Sequence, residues 1–366
     1  MRLAGSTVAI VGGGIGGMTA ALALARQGAG VSVFEQAPAL REVGAGLQIT
    51  PNGARALEGL GLGGALAQAG LTTQAVVPMD GLGGRRIARF DLSRQGPPYR
   101  FLHRADLLDL LASAARAAGA TIHLGQRIGE ALPEADLVIG ADGLHSSLRR
   151  NLNGAADPFF TGQVAWRAIV PAPDAPVARI WMLPGRHVVT YPLPGGRLNV
   201  VAVQERRDWA AEGWHHPDDP DHLRAAFADA APALRDVLAQ VTTTHLWGLF
   251  RHPVAPTWDR DGLVLLGDAA HPTLPFLAQG ANLAIEDACV LARILGAGGS
   301  TADYTAARRP RVTRAIAAAN VNARNYHLRG PARLLAHTGL RLVGRVAPDR
   351  FLRRLGWLYD FDPWAD

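Results

Sequence analysis

The chain has 366 residues, of which 48% are hydrophobic and 19% charged, and its formal net charge is +6 at pH 7. This apolar content excludes a wholly disordered chain, and the length predicts two domains or one large α/β unit with an insertion. All 37 residues of the Lys+Arg count are arginine, which excludes Schiff-base lysine chemistry and Walker A nucleotide binding. The mild basic excess is spread along the chain and therefore favours anionic small molecules over nucleic acid as partners.

The single cysteine, Cys289, excludes an internal disulfide, a cysteine metal site and paired redox cysteines, and we expect no metal site. Its scarcity favours the cytoplasm as the compartment. Residues 3–25 carry no charge, as in a membrane span, but the six glycines among them predict a strand, a turn and a helix instead. We therefore expect neither a membrane nor a nucleic-acid partner, and the sequence leaves a homodimer open.

The first 35 residues predict a β–α–β unit of a parallel sheet, with strands at 7–11 and 31–35 around a glycine turn at 12–17 and a helix at 18–27. Further elements follow in chain order: a helical region at 51–66, strand-like residues at 75–92, an amphipathic helix at 104–118, and strands at 121–124 and 137–141.

From about residue 161 the pattern changes to short strands with proline and glycine between them, which is typical of an antiparallel sheet. These strands are predicted at 163–170, 178–183, 187–193 and 198–204. The remaining predictions are a helical region at 217–241, strands at 245–251 and 262–266, a helix at 282–295, and C-terminal helices rich in Arg and Leu.

The glycine turn fits the pattern G-x-G-x-x-G at Gly12, Gly14 and Gly17, directly after a strand and at the start of a helix. In this pattern the first glycine makes a tight turn, the second lets a diphosphate approach the backbone, and the third packs helix on strand. The helix N-terminus adds N–H donors and partial positive charge. Glu35 ends the next strand, where a carboxylate can accept both ribose hydroxyls. We predict dinucleotide binding; the alternative is a glycine turn without a ligand.

Two later segments place an aspartate and glycines at the end of a buried strand. One contains Asp142 and Gly143, and the other contains Gly267, Asp268 and His271 and leads into a helix with Asn282. Taken singly, either aspartate could simply cap a helix. Two such elements behind an N-terminal dinucleotide pattern favour a shared cofactor site.

These three segments, in this order, resemble those of the class A FAD-dependent aromatic hydroxylases, the single-component flavoprotein monooxygenases, over essentially the whole chain. The likeness is greatest to the salicylate and 3-hydroxybenzoate 6-hydroxylase branch, with hydroxynicotinate enzymes nearby. Connecting segments are similar too: 35–38, 41–52, 101–107, 166–167, 191–193 and 357–362.

The resemblance implies an α/β fold in which an antiparallel-sheet substrate domain is inserted into a Rossmann-like FAD-binding domain. We expect the FAD-binding domain at 1–74, 100–158 and 256–300, the substrate domain at 75–99 and 159–255, and C-terminal helices at 301–366.

The implied reaction is hydroxylation of a small aromatic acid of the hydroxybenzoate, salicylate or hydroxypyridine-carboxylate type. It would use FAD as cofactor with NADH or NADPH and O2 as co-substrates, through a flavin C4a-hydroperoxide. The sequence leaves open the ring position, the choice of nicotinamide and any accompanying decarboxylation. Two alternatives stay open: an FAD-dependent reductase acting without oxygenation on an isoprenoid or other apolar substrate, and a nicotinamide-only dehydrogenase.

The resemblance also assigns cofactor residues. Glu35 would bind the adenosine ribose, Asp268 the ribityl chain and Arg104 the ribityl–diphosphate region, although Arg104 could instead be an exposed helix-start residue. Asp142 would be shared between FAD and the nicotinamide. Backbone groups of Ala281, Asn282 and Leu283, at a helix N-terminus, would face the flavin carbonyls and stabilise negative charge on the reduced ring. The other assigned residues are Gly12, Gly14, Ile15, Gly16, Gly17, Gln36, Arg41, Gln48 and Ile128.

His187 and Tyr191 are the predicted substrate-activating pair. They lie four residues apart on a predicted strand, so both side chains point to one face of the sheet. The pair also resembles that of the 3-hydroxybenzoate 6-hydroxylase branch. A histidine with a pKa of about 6.5 can accept a phenol proton, and a tyrosine can hold the phenolate. The alternatives are a histidine that orders a turn and a tyrosine packed between domains, with His271 as the rival base.

Overall fold

The computed structural model describes residues 3–40, 46–93, 96–129, 131–172, 174–206 and 216–365. Arg41, one of the predicted cofactor residues, lies outside them. The strands are β1 (Thr7–Val11), β2 (Gly30–Glu35), β3 (Gly46–Ile49), β4 (Leu71–Thr72), β5 (Ala75–Asp80), β6 (Phe90–Asp91), β7 (Arg100–His103), β8 (Thr121–Leu124), β9 (Leu137–Gly140), β10 (Phe159–Pro171), β11 (Val177–Leu183), β12 (Arg186–Leu193), β13 (Arg197–Glu205), β14 (Pro217–Asp218), β15 (Thr244–Arg251), β16 (Asp259–Arg260) and β17 (Leu263–Leu265).

Helices surround these strands, and a 3₁₀ turn at Gly267–Ala269 follows the last one. The helices are α1 (Ile15–Ala25), α2 (Pro51–Gly59), α3 (Gly63–Ala69), α4 (Arg104–Ala117), α5 (Ser147–Asn153), α6 (Pro220–Ala226), α7 (Pro232–Ala239), α8 (Gly280–Gly296), α9 (Thr301–Tyr326), α10 (Gly330–Val346), α11 (Pro348–Arg353) and α12 (Gly356–Tyr359).

The first sheet has the strand order β16-β17-β9-β1-β2-β8 and is parallel except for its edge strand β16. Its central strands are apolar and buried because helices cover the sheet, as in doubly wound α/β proteins. The predicted β–α–β start is present, but α1 begins at Ile15 rather than after Gly17. The reason is that Gly14 is already the N-cap, with its carbonyl accepting from the Met18 N–H at 2.9 Å.

The second sheet has the order β14-β15-β10-β13-β12-β11-β5-β6. Its strands pair antiparallel, as predicted, except that β5 pairs parallel with β11. Parallel pairing needs a long crossover, and about a hundred residues of chain separate β5 from β11. One face of this sheet packs Trp166, Val188 and Val200 against Phe227 and Leu234 of the α6–α7 region. The opposite face is left to line the functional site.

Two of the predicted helical regions each form two helices, and one small sheet was not predicted. The helical region 51–66 is two helices, α2 and α3, because Gly61 between them has a φ of +67°. The region 217–241 likewise forms α6 and α7. A third sheet, β3-β7-β4, has strands of only two to four residues, too short for a periodic pattern to reveal.

The C-terminal segment packs against α2. The Trp364 indole N–H donates to the Ala56 carbonyl at 3.1 Å, and Arg55 donates to the Tyr359 and Phe361 carbonyls at 3.1 and 2.9 Å. Within the described ranges, no helix has both the length and the apolar character needed to cross a bilayer.

Candidate active site

A cavity opens where the carboxyl ends of β1, β9 and β17 meet the free face of the second sheet. Its lining comes from the glycine turn, from Arg104, from the segments after β9 and β17, and from β10, β12, β13 and β15. The carboxyl ends of parallel strands are where doubly wound folds bind ligands. The cavity therefore has one end beside the glycine turn and another against the second sheet.

The glycine turn has the geometry that a close-approaching ligand requires. Gly12 has a φ of +109°, and a Cβ there would lie 2.3 Å from the Ala141 carbonyl oxygen. A Cβ on Gly17 would lie 2.0 Å from the Gly12 oxygen, and one on Gly16 would meet Leu266 at 2.9 Å. A Cβ on Gly14 would instead point into open space at the cavity wall. Only a bound group would meet a side chain at Gly14, so the turn fits a diphosphate.

Glu35 lies beside this turn and holds it in place. Its Oε2 accepts from the Gly13 N–H at 2.7 Å and its Oε1 from the Ala37 N–H at 2.8 Å. The carboxylate thus ends β2 next to the glycine backbone, where the ribose of a dinucleotide would lie. The predicted cofactor residues Gln36, which is exposed, and Ile128, which packs against the core, are not among the cavity-lining residues, and their roles stay predictions.

Asp142 supports the start of a helix, and its predicted cofactor role stays a prediction. Its Oδ2 accepts from the Ser147 N–H at 2.8 Å and so supports the start of α5, while Ser146 is the N-cap. Its Oδ1 is buried and has no hydrogen-bond partner among the described residues. A buried carboxylate oxygen without a donor is costly, and its neighbours Ala141 and Gly143 line the cavity. This oxygen therefore fits a hydroxyl group of a bound cofactor.

Arg104 and Asp268 both line the cavity. Arg104 begins α4 directly after β7. The pKa of Asp268 is raised by burial among the surrounding residues, while His271 and Arg104 lower it in part. The charges of Arg104 and Asp268 are thus within electrostatic reach of each other, as expected for residues that bind the polar chain of one ligand.

The N-terminus of α8 supplies backbone donors to the same cavity, whose lining includes Gly280 and Ala281. The Asn282 side chain is occupied within the protein: its Nδ2 donates to the Gln48 and Ala278 carbonyls, and its Oδ1 accepts from the Thr50 N–H. The Leu283 N–H already donates to the Gln279 carbonyl at 2.8 Å. The backbone N–H groups of Gly280, Ala281 and Asn282 precede that first helical bond, so these donors fit the predicted flavin contact and Leu283 does not offer one.

His271 is not among the cavity-lining residues. Its Nε2 lies 2.5 Å from Asp287 Oδ2, and this oxygen also accepts from the Gly267 N–H at 3.0 Å. Burial raises the pKa of Asp287, but His271 and Arg308 more than offset this and lower it to about 2. The geometry favours a role for His271 in ordering the loop that carries Asp268. Among the described residues no His, Cys, Asp and Glu side chains cluster as metal ligands.

His187 and Tyr191 lie together on the cavity face of β12 and both line the cavity, with Val189 between them. Burial and the neighbouring His327 lower the pKa of His187 well below 6.5. Burial raises the pKa of Tyr191, although Arg167 and a hydrogen bond from Gln48 act to lower it. Near pH 7 the pair is therefore a neutral imidazole and a neutral phenol, an acceptor and a donor for a substrate hydroxyl.

Gln48, predicted as a cofactor residue, has its side chain among tyrosines at the sheet end of the cavity. Its Oε1 accepts from the Tyr99 hydroxyl at 2.5 Å, and its amide reaches the Tyr191 hydroxyl. Its backbone carbonyl accepts from Asn282 at 2.9 Å. Gln48 thus links Tyr191 to the start of α8, and its contact with a cofactor stays a prediction.

Arg167 was not singled out by sequence reasoning, although it lines the cavity. Its guanidinium lies over the Trp247 ring, 4.5 Å from the ring centroid. The signal was available in the alternation of β10: Trp166 is fully buried in the core on the other face, so Arg167 must point towards the cavity. Arg167 therefore places a fixed cation at the sheet end of the cavity.

Curated relatives match almost the entire chain. A 3-amino-4-hydroxybenzoate 2-monooxygenase of Streptomyces platensis is 35% identical over 97% of this chain and 96% of its own. A 3-hydroxybenzoate 6-hydroxylase of Aquipseudomonas alcaligenes is 32% identical over 97% of both chains. A 6-hydroxynicotinate 3-monooxygenase of Bordetella bronchiseptica is 33% identical over 82% of this chain and 85% of its own. A family model described as an FAD binding domain matches residues 5–134 and 129–319.

The chain belongs to the FAD-dependent aromatic hydroxylases. Solved structures of similar fold support the α/β architecture predicted for this hydroxylase. The Klebsiella pneumoniae protein HpxO, in complex with FAD and uric acid, has a TM-score of 0.82 at 25% identity and covers 96% of this chain and 95% of its own. A salicylate hydroxylase in its substrate complex has a TM-score of 0.81 at 24% identity, over 98% and 96% of the two chains. The predicted fold class, enzyme class and FAD cofactor are thereby confirmed.

Proposed function

We propose that this hydroxylase acts on a small aromatic acid that carries a ring hydroxyl, with NAD(P)H and O2 as co-substrates. One observation carries the proposal: the sheet end of the cavity combines a fixed guanidinium, Arg167, with the neutral pair His187 and Tyr191. A carboxylate and a phenol hydroxyl on one ring are the groups that such an end would recognise. The relatives named for hydroxybenzoate and hydroxynicotinate support the same substrate class.

Arg167 is suited to bind the substrate carboxylate. A guanidinium makes bidentate, charge-assisted hydrogen bonds with a carboxylate, and its plane stacks on aromatic rings. Here the ring of Trp247, on the adjacent strand β15, supports the guanidinium at 4.5 Å. Arg167 also lowers the pKa of Tyr191 in part, so its charge reaches the point where the ring hydroxyl would lie.

His187 and Tyr191 would act on the ring hydroxyl. The neutral imidazole can accept the hydroxyl proton, and the Tyr191 hydroxyl can donate to the resulting phenolate. An unpaired phenolate in a site without water is costly, so a donor of this kind is required. Phenolate formation raises the electron density of the ring carbon that receives oxygen.

The residues proposed to hold FAD fit the group through the open side of Gly14, the unpartnered Oδ1 of Asp142 and the donors at the start of α8. The chemistry that bound FAD supplies is acceptance of hydride from NAD(P)H and activation of O2. The protein's part is to orient the ring, hold its charge and exclude water. The sequence-based division into an FAD-binding domain, a substrate domain and C-terminal helices remains part of this proposal, as do the cytoplasmic compartment and the homodimer.

The alternative function, reduction of an isoprenoid or other apolar substrate without oxygenation, would be supported by the apolar side chains Val189, Val201, Leu249 and Leu274 in the cavity. An apolar ligand would, however, make no use of the Arg167 guanidinium in the cavity wall, whereas a carboxylate can form charge-assisted hydrogen bonds with it. The charge at the sheet end therefore favours the aromatic acid.

The deciding experiment measures NAD(P)H oxidation and O2 uptake with a panel of 3-amino-4-hydroxybenzoate, 3-hydroxybenzoate and 6-hydroxynicotinate. We expect at least one acid to stimulate both rates together and to yield a product heavier by one oxygen atom, and the corresponding compound without its carboxylate to stimulate neither. Equal stimulation by the acid and by its decarboxylated analogue would contradict the proposal.

Arg167→Met should raise KM for the acid by about 10- to 100-fold, the loss of a charge-assisted bond pair. The matched control is Arg206→Met, because Arg206 also lies over a tryptophan, Trp166, at 5.4 Å, but does not line the cavity. An unchanged KM in Arg167→Met would show that the carboxylate binds elsewhere.

A further inference from the structure

A row of hydrogen-bonded side chains connects the cavity with the protein surface through His187. The Nδ1 of His187 lies 2.7 Å from Nε2 of His327, the residue that follows α9. The Nδ1 of His327 lies 3.0 Å from Oε1 of Glu205, at the end of β13. His187 is 1% exposed and His327 5%, whereas the Glu205 side chain is 38% exposed. The row therefore begins at the buried face of the cavity and ends in solvent.

The chemistry of these groups determines where each proton lies. An ionised Glu205 can only accept, so His327 must donate from Nδ1. The pKa of His327 is lowered by burial, although Glu205 raises it in part, and the pKa of His187 is lowered by burial and by His327. Both rings are therefore neutral near pH 7, with one proton each. The Nε2 of His327 is then an acceptor, His187 donates to it from Nδ1, and the Nε2 of His187 is left as the basic nitrogen.

We propose that His187, His327 and Glu205 form a proton relay that carries the hydroxyl proton of the substrate from the cavity to solvent. The inference rests on the proposed function, since the proton comes from the ring hydroxyl. As the substrate O–H bond breaks, an N–H bond forms at His187 Nε2. The Nδ1–H bond of His187 breaks as one forms at His327 Nε2, and the Nδ1 proton of His327 passes to Glu205 and then to water. The reverse transfer, when the product is protonated before release, restores the starting state.

The surroundings of the relay keep its internal part uncharged. Tyr326 and Phe276 pack against the His187 ring at centroid distances of 5.2 and 5.5 Å, and burial raises the pKa of Tyr326, so it stays neutral. Among the described residues, Arg329 is a second charged group at the outer end; it donates to Glu205 Oε2 at 2.6 Å and opposes protonation of His327. On the face of β12 that carries His187, Tyr191 is the one other titratable side chain, and it too would face the substrate hydroxyl.

The position of His327 is fixed by backbone as well as side-chain contacts. The Gly185 N–H donates to the His327 carbonyl at 3.0 Å, and the Glu205 N–H donates to the Gly185 carbonyl at 3.1 Å. The turn before β12, the end of β13 and the end of α9 are thereby tied together at one point. His327 and Glu205 are positioning residues that act through His187, since neither is among the cavity-lining residues.

The test mixes FAD-loaded enzyme in a stopped-flow instrument with the panel acid that serves as substrate, in the presence of a pH-indicator dye. Wild type should release one proton per bound substrate. The glutamine of His327→Gln can still accept from His187 and donate to Glu205, but it cannot pass a proton on. The rate of proton release and kcat should therefore fall by about tenfold or more. The FAD content and KM should stay nearly unchanged. The matched control is His222→Gln, because His222 also pairs with a carboxylate, Asp218 at 2.7 Å, but lies on the surface.

Wild-type rates of proton release and turnover in His327→Gln would overturn the relay. Should this variant fail to fold, Glu205→Gln at the exposed end gives the same test: slower proton release supports the relay, unchanged proton release overturns it, and Glu205→Asp should restore part of the rate. If no acid of the panel causes proton release or NAD(P)H oxidation in wild type, it is the proposed function that fails.

Discussion

Glu35→Gln tests the proposed adenosine end of the FAD site by replacing one oxygen of the carboxylate with an NH2 group. In the structure one oxygen accepts from the Gly13 N–H at 2.7 Å and the other from the Ala37 N–H at 2.8 Å. A carboxylate has about four acceptor positions, so about two remain for ribose hydroxyls. In glutamine, the amide NH2 must face one of these two backbone donors or the ribose. At least one charge-assisted bond is lost in either orientation.

The size of the effect follows from that bond. Loss of a hydrogen bond to a charged group costs about 1.5–3 kcal/mol. At about 1.4 kcal/mol per tenfold change, this cost sets an upper limit of about 140-fold on the rise in the Kd for FAD, which is reached only if the lost bond is one to the ribose. Part of the cost also falls on the apoprotein, because the bonds to Gly13 and Ala37 lie within the protein itself. The apoprotein Tm should therefore fall as well, and both quantities have to be measured.

The assay is titration of apoprotein with FAD, followed by quenching of flavin fluorescence, together with thermal unfolding of the apoprotein. Glu58→Gln is the control, since Glu58 is exposed on α2 and has the same change in charge. A Kd for Glu35→Gln within about twofold of wild type would refute the assignment of Glu35 to the cofactor.

Three further outcomes are expected. Gly14→Ala should leave the apoprotein Tm nearly unchanged but weaken FAD binding, because its Cβ meets no protein atom within 4 Å. Gly17→Ala should destabilise the apoprotein by about 1–3 kcal/mol, because its Cβ would lie 2.0 Å from the Gly12 oxygen. Calorimetry of the apoprotein and titration with FAD distinguish the two effects. The pKa of Asp287 is lowered from 3.8 to about 2, so the ionised carboxylate adds about 2 kcal/mol to the free energy of unfolding above about pH 4. This contribution is lost as the pH falls towards 2. The Tm of wild type should therefore fall more steeply with acid than the Tm of Asp287→Asn. His187→Ala should keep its FAD, lose about 10²- to 10⁴-fold in hydroxylation and release hydrogen peroxide, measured with a peroxidase-coupled assay; fully coupled turnover would contradict its role.

Local sequence signals predicted the first sheet closely because glycines lie at or near the ends of its strands and its central strands are buried on both faces. The strands Thr7–Val11 and Thr121–Leu124 have the predicted ends, and α4 ends one residue before its prediction. The parallel addition of β5 to the second sheet could not be predicted, because that pairing depends on a distant segment and leaves no periodic signal in 75–92.

The candidate site likewise has a part that local sequence predicts and a part that depends on contacts between distant segments. The glycine turn, Glu35 and the shared face of His187 and Tyr191 are local features, and spacing alone predicts them. His327 and Glu205 are 122 residues apart in the chain, and His187 and His327 are 140 apart. Their contact depends on where the end of α9 meets β13, which no spacing or composition in either segment indicates.

The relay changes what His187 does to the substrate. A buried histidine acting alone would retain the proton as an imidazolium beside the phenolate, although burial and His327 lower its pKa and disfavour that cation. With the relay, one proton enters at Nε2 and another leaves from Nδ1, so His187 ends neutral and donates to the phenolate from Nε2. Because a neutral donor withdraws less electron density than a cation, the ring keeps more of the negative charge that attack on activated oxygen requires. Tyr191 supplies the second neutral donor, and Arg167 is the residue proposed to bind the carboxylate.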